Sequence, residues 1–281
     1  MAGVRRNGVD VDGTRMSYLA AGERGPVVLL LHGTFWSRVW RPVMARLGRV
    51  CRPVAVDLPG FGCSEGELSS PEEATVPALA GIVHAFAEQL GFRQYAVVGH
   101  DIGGAIAQHL AAHREGVVNR LALVNGVVLD SWPVPAVERF RDPQVRASTT
   151  VEDLLRARRT AMDEATAREL DGAEIDEYLA PWREERRVRS WLSMAAAADS
   201  RHTTGLVDEL RARALPMLLV WGVDDEFQRV EHAERFTREF PHAELVRVAG
   251  RHIPTEDSPR EVGDTLARFL AAGSGSAPSG H

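Results

Sequence analysis

The stretch VVGHDIGGAIAQ, residues 97–108, runs from an apolar segment into a helix-forming one through a turn where Asp101 stands between Gly99 and Gly103. Glycine on both sides of a residue lets the chain reverse sharply, so the central side chain projects from the turn. The helix that follows opens beneath it and places the positive end of its dipole under a carboxylate. A strand, an exposed acid and a helix are therefore expected in that order.

Outward from this turn, short apolar runs bounded by turn residues alternate with helix-patterned segments. Such alternation is the signature of an α/β fold with a mostly parallel sheet flanked by helices. Strands are expected at residues 27–31 (VVLLL), 52–57 (RPVAVD), 95–99 (YAVVG), 119–125 (NRLALVN), 217–222 (MLLVWG) and 243–248 (AELVRV). A leading strand pair is expected around Asp12-Gly13. Helices fit at residues 38–47, 76–90, 102–113, 230–240 and 259–271.

Residues 130–210 break the alternation: they are charged and helix-prone, carry Trp132, Trp182 and Trp191, and contain no strand candidate. An insertion after a sheet strand sits over the carboxyl ends of the strands, where open α/β sheets bind ligands. The expected organisation is a core domain of residues 1–129 and 211–272, a helical cap at 130–210 and a low-complexity, disordered tail at 273–281.

Composition narrows the chemistry. All 33 basic residues are arginine, which excludes a pyridoxal Schiff base, a lysine nucleophile and a lysine-containing phosphate loop. A net charge of -6 without a concentrated basic face argues against nucleic acid or an anionic membrane as partner. A small-molecule substrate is the expectation. Cys51 and Cys63 form neither a metal spacing nor a disulfide framework, and no run has the length of a membrane span, so the expected compartment is the cytoplasm. No cofactor and no metal is expected; His109 and His113 are spaced i, i+4, but Leu110 stands where H-E-x-x-H needs its glutamate.

The motifs taken together resemble the α/β-hydrolase superfamily over nearly the whole chain. Gly99-His100-Asp101-Ile102-Gly103 occupies the nucleophile turn, with aspartate where serine is usual. His32-Gly33 follows one strand, Asp57-Leu58-Pro59-Gly60-Phe61-Gly62 the next, Trp221-Gly222-Val223-Asp224-Asp225 ends a late strand, and His252 follows the last. The family's order of nucleophile, acid and histidine is met by Asp101, Asp225 and His252. Asp224 competes for the acid role, and the family's W-G-x-x-D spacing selects Asp225.

Aspartate at that turn implies the epoxide hydrolase and haloalkane dehalogenase branch. A carboxylate needs no base to attack a saturated carbon and form an alkyl ester. His252 would then draw a proton from the water that attacks the Asp101 carboxyl carbon, with Asp225 orienting the imidazole. By resemblance, the oxyanion donors are the backbone N–H groups of Thr34 and Ile102. His32 and His100 are expected to brace turns.

The subfamilies differ on the leaving-group side. Haloalkane dehalogenases carry a Trp after the nucleophile and often an Asn after His-Gly, where this chain has Ile102 and Thr34; fluoroacetate dehalogenases carry an Arg where Ile102 stands. Epoxide hydrolases use two cap tyrosines, and Tyr178 is the one cap candidate here. Trp36, Trp40 and the cap tryptophans are candidates to line an apolar pocket. Epoxide opening is the first expectation and dehalogenation the second. A lyase, isomerase or cyclase using Asp101 as proton acceptor, and a ligand-binding homologue without turnover, are the alternatives.

Overall fold

The computed structural model describes residues 3–271; the tail expected at 273–281 lies outside them. Eight strands form one sheet: β1 (Arg5–Val11), β2 (Thr14–Ala20), β3 (Val27–Leu31), β4 (Arg52–Val56), β5 (Tyr95–Asp101), β6 (Val118–Gly126), β7 (Met217–Gly222) and β8 (Ala243–Val248). Their order is β1-β2-β4-β3-β5-β6-β7-β8. β1–β2 and β2–β4 pair antiparallel, and every other neighbouring pair is parallel. All six strands expected in the core region are present, and β5 and β6 extend further than expected.

The pattern of each strand follows from its place in the sheet. β3, β5 and β7 are buried along their whole length, as parallel strands covered on both faces must be, hence their unbroken apolar runs. The edge strands β1 and β8 are mixed. Asp12 (φ 49°) and Gly13 (φ 80°) close the β1–β2 hairpin, two successive positive φ angles whose twist suits a tight hairpin.

Helices Arg41–Leu47, Val76–Gln89, Ile102–His113, Val230–Glu239 and Pro259–Ala271 connect or follow the strands. The first differs from its expected start because residues Ser37–Trp40 form a separate 3₁₀ turn. Pro42 fits the first turn of the α-helix after it, where its missing N–H costs no hydrogen bond.

Between β6 and β7 the regular structure is all helical, and the longest of these helices are Val151–Ala165 and Glu185–Ala196. Long-range polar contacts tie this segment to the sheet side. Arg187 Nη1 donates to the carbonyls of Gly62 (2.7 Å) and Ser64 (3.0 Å). Glu256 accepts from Arg38 (2.6 Å) and from Arg168 (2.5 Å), and Arg38 also pairs with Glu177 at 2.7 Å. These bonds tie the segment to residues that follow β3 (Arg38), β4 (Gly62 and Ser64) and β8 (Glu256).

Candidate active site

Asp101 ends β5 in a backbone conformation (φ 54°, ψ -131°) that L residues rarely adopt. Its neighbours show why the turn needs glycine. A Cβ on Gly99 would lie 2.3 Å from the Gly103 carbonyl oxygen, and one on Gly103 would lie 2.4 Å from that of Leu31. Gly33 is held against the same turn: its Cβ would lie 2.5 Å from both Asp101 Oδ2 and Ile102 N. The carboxylate oxygen and the Ile102 N–H thus border one small space beside Gly33.

Thr34 supplies two donors to that oxygen. Its backbone N–H donates to Asp101 Oδ2 at 2.8 Å and its hydroxyl donates at 2.7 Å. The expected oxyanion position is therefore held by a carboxylate oxygen, and the Thr34 hydroxyl is a donor that the resemblance did not provide.

Asp225 and His252 meet as the chain order implied. His252 Nδ1 lies 2.9 Å from Asp225 Oδ2, whereas Asp224 is exposed. Asp225 also accepts from Asn125 Nδ2 (2.7 Å) and from the backbone N–H groups of Phe227 (2.8 Å) and Gln228 (3.0 Å). Burial opposes its ionisation, but the His252 charge and these donors outweigh burial and hold its pKa below the ordinary value. Burial likewise opposes the charged form of His252, and Asp225 overcomes it, so the imidazole pKa is raised. His100 Nε2 lies 2.8 Å from the His252 carbonyl oxygen. Since a carbonyl only accepts, that nitrogen carries the proton and braces the loop. His32 sits between the Gly33 carbonyl oxygen (2.9 Å) and the Leu58 N–H (3.0 Å), bracing its own turn.

Asp101, Thr34, Ile102 and His252 border one cavity of about 340 Å³. Its walls are otherwise largely apolar, with Phe35, Trp132, Phe140, Trp191 and Phe227 among them. The three residues expected to bind substrate are not along it. Tyr178 is fully buried and donates its hydroxyl to Glu256 at 2.7 Å. Trp36 gives its indole N–H to the Tyr178 carbonyl at 3.1 Å, and Trp40 packs edge-on against His100. Closeness in sequence to His32-Gly33 misled for Trp36 and Trp40: both are buried in the core, Trp36 just before the 3₁₀ turn Ser37–Trp40 and Trp40 at its end.

Two of the three tryptophans of the helical segment, Trp132 and Trp191, do line the cavity, with their N–H groups directed to protein oxygens: Thr203 Oγ1 at 2.8 Å and Thr34 O at 3.2 Å. Asn125 and Arg158 were not anticipated. Asn125, next to the last residue of β6, has φ 42°, a conformation asparagine tolerates better than most residues. Arg158 left a trace in the sequence, standing four residues from both Leu154 and Met162 on the buried stripe of its helix.

The alpha/beta hydrolase family model matches residues 28–265. The chain belongs to that family. It is 27% identical to a soluble epoxide hydrolase of Corynebacterium sp. (strain C12), over 93% of this chain and 95% of that one. It is 29% identical to a haloalkane dehalogenase of Bradyrhizobium diazoefficiens, over 92% of each chain. Among solved structures it superposes on the haloalkane dehalogenase DbeA from Bradyrhizobium elkani USDA94 with a TM-score of 0.80, 26% identity and coverage of 96% and 98%. This member of the alpha/beta hydrolase family is thus a hydrolase with epoxide hydrolase and haloalkane dehalogenase relatives. Among its described residues no helix is long and apolar enough to cross a membrane.

Proposed function

We propose that the protein is a cofactor-independent hydrolase in which Asp101 forms a covalent ester with a saturated carbon of a small substrate. The observation that carries this reading is the pair of Thr34 donors on Asp101 Oδ2. With Oδ2 held, Oδ1 is the oxygen left to attack. A bond forms between Oδ1 and the substrate carbon while the carbon–leaving-group bond breaks and its electron pair departs with that group.

His252 then takes a proton from water, whose oxygen adds to the Asp101 carboxyl carbon. Negative charge develops on Oδ2, to which Thr34 N–H and Thr34 Oγ1–H already donate and beside which the Ile102 N–H lies, so stabilisation precedes the reaction instead of being assembled during it. Collapse expels the alkoxide, which is protonated by the His252 imidazolium and leaves as the alcohol. Asp225, held by three further donors, keeps the imidazole oriented and favours its charged form. The helical segment acts as a cap that closes the apolar cavity over these groups and keeps bulk water from them.

Of the two leaving groups, halide asks less of this cavity. An opening epoxide needs a proton or a strong donor, and the Tyr178 hydroxyl is engaged with Glu256 instead. Halide departs as a weak base. Epoxide opening stands as the second reading, favoured by the likeness to the Corynebacterium enzyme.

The test is a trap. In the His252→Gln variant, alkylation should proceed and hydrolysis should stall, so incubation with 1-bromobutane or 1,2-epoxybutane should add the alkyl or hydroxyalkyl mass to the peptide containing Asp101. Consumption of substrate by that variant with no adduct would contradict the two-step scheme. The compound that leaves the adduct identifies the leaving group.

A further inference from the structure

Arg158 is a charged side chain buried in the wall of the cavity that holds Asp101 and His252. Its guanidinium carbon lies 3.9 Å from the Phe35 ring centre, 5.1 Å from that of Trp182 and 5.6 Å from that of Trp191. Three aromatic faces can hold a desolvated cation. They do not satisfy its donors: Nε and Nη2 are buried with no hydrogen-bond partner. Burial pulls the guanidinium pKa down to about 10, with Asp101 acting in the opposite sense, so the group is a cation at neutral pH. No carboxylate among the described residues pairs with it, and the nearby Asp101 has Oδ2 engaged by Thr34.

Nε and Nη2 share one edge of the guanidinium and send two N–H bonds out in parallel, the fork that meets both oxygens of a carboxylate. A halide or alkoxide offers that edge one acceptor atom, whereas a carboxylate offers one oxygen to each N–H. With Arg139, which also lines the cavity, the same charge offsets the repulsion that Asp101 and the lining Glu164 would exert on an entering anion.

Resting on the reading of Asp101 given above, we propose that Arg158 receives a carboxylate carried by the substrate, making this a hydrolase selective for small acids with an electrophilic saturated carbon. The guanidinium turns its free edge from the ring stack toward the cavity to engage the ligand. Arg158 then sets which substrates bind, while Asp101 and His252 perform the chemistry.

The proposal is tested first without turnover. Butyrate, which has no leaving group, is titrated into the wild type, Arg158→Met and Arg158→Lys by calorimetry and by tryptophan fluorescence, with 1-butanol as neutral control. Circular dichroism reports folding, and Arg158→Gln serves if the Met variant does not fold. Loss of the charge-assisted pair should weaken butyrate about tenfold to a hundredfold, with partial recovery in Arg158→Lys and little change for 1-butanol. Equal butyrate affinity in the wild type and the Met variant would overturn the proposal.

Turnover of 3-bromopropanoate and 1-bromopropane follows. The Met substitution should lower the acid-over-neutral ratio of kcat/KM at least about tenfold, mainly through KM. An equal fall in kcat on both compounds would assign Arg158 to the leaving group and reject the carboxylate reading. If the wild type turns over neither compound yet binds butyrate through Arg158, the acid-binding site stands and the displacement chemistry fails.

Discussion

On the strand side of the cavity the reactive groups are held by the backbone. Asp101 Oδ2 is fixed by Thr34, Asp225 by Asn125 and two backbone N–H groups, and the turn by glycines whose replacement would drive a Cβ into a carbonyl oxygen. On the helical side the lining is held mainly through side chains. Trp132 and Trp191 direct their N–H groups to protein oxygens, and Arg158 rests on aromatic faces with two donors unpartnered. The strand side determines what reaction is possible, because geometry fixed by backbone survives changes in its neighbours. On the proposed reading the helical side would determine which molecules are admitted.

The largest break in this contrast comes at the carboxylate. Asp101→Asn should fold normally and lose at least about four orders of magnitude in kcat, as loss of a nucleophile does elsewhere. Retention of more than a hundredth of the wild-type rate would count against a nucleophilic role. Gly103→Ala should reduce stability by about 3 kcal/mol or more, since the added Cβ meets Leu31 O at 2.4 Å. Urea denaturation measures this; a change below about 1 kcal/mol would mean the turn is less constrained than the contact implies.

Asn125→Ala removes a donor from the buried Asp225 carboxylate. A hydrogen bond to a charged group contributes about 1.5–3 kcal/mol, so hydrolysis of the ester should slow about tenfold to a hundredfold while alkylation is nearly unchanged. Rapid-quench kinetics separates the two steps, and slowing of alkylation alone would contradict the assignment.

The pH dependence of hydrolysis tests His252. The imidazole acts as a base only when neutral, and its pKa is raised by Asp225 against the effect of burial. Ester hydrolysis should therefore fail as pH drops, with a midpoint above the ordinary value of about 6.5. Any stability gained from the charged imidazole has the opposite sense, complete below the unfolded-state value and lost as pH rises through the folded-state one. A kinetic midpoint clearly below 6.5 would show that Asp225 does not control this group.

The smallest effect is expected from Tyr178→Phe, which removes a hydrogen bond to Glu256 away from the cavity. Stability should fall by about 1 kcal/mol and kcat change less than about twofold. A selective collapse of epoxide turnover would instead restore Tyr178 as the ring-oxygen donor.

The same contrast explains what could be read in the sequence. Strands β3 and β7 stand where their apolar runs put them, because a fully covered strand must be apolar throughout. The Asp101 turn was legible because only glycine fits at residues 99 and 103. The positions of Asp225 and His252 followed from chain order. The lining of the cavity was not legible, because the docking of the helical segment depends on contacts such as Arg38 with Glu177 and Arg187 with Gly62 O, far apart in the chain. Tyr178 faces that ion network and not the cavity for this reason, and Arg158 appeared only as a charge on an otherwise apolar stripe.

The central claim, that Asp101 forms and loses an ester, is tested most directly by one turnover in water enriched in heavy oxygen with enzyme in excess. If water attacks the Asp101 carboxyl carbon, one heavy oxygen remains in that side chain, and the proteolytic peptide containing residues 97–108 gains about 2 Da. Unlabelled peptide with heavy oxygen in the alcohol would show direct attack by water on the substrate and contradict the account.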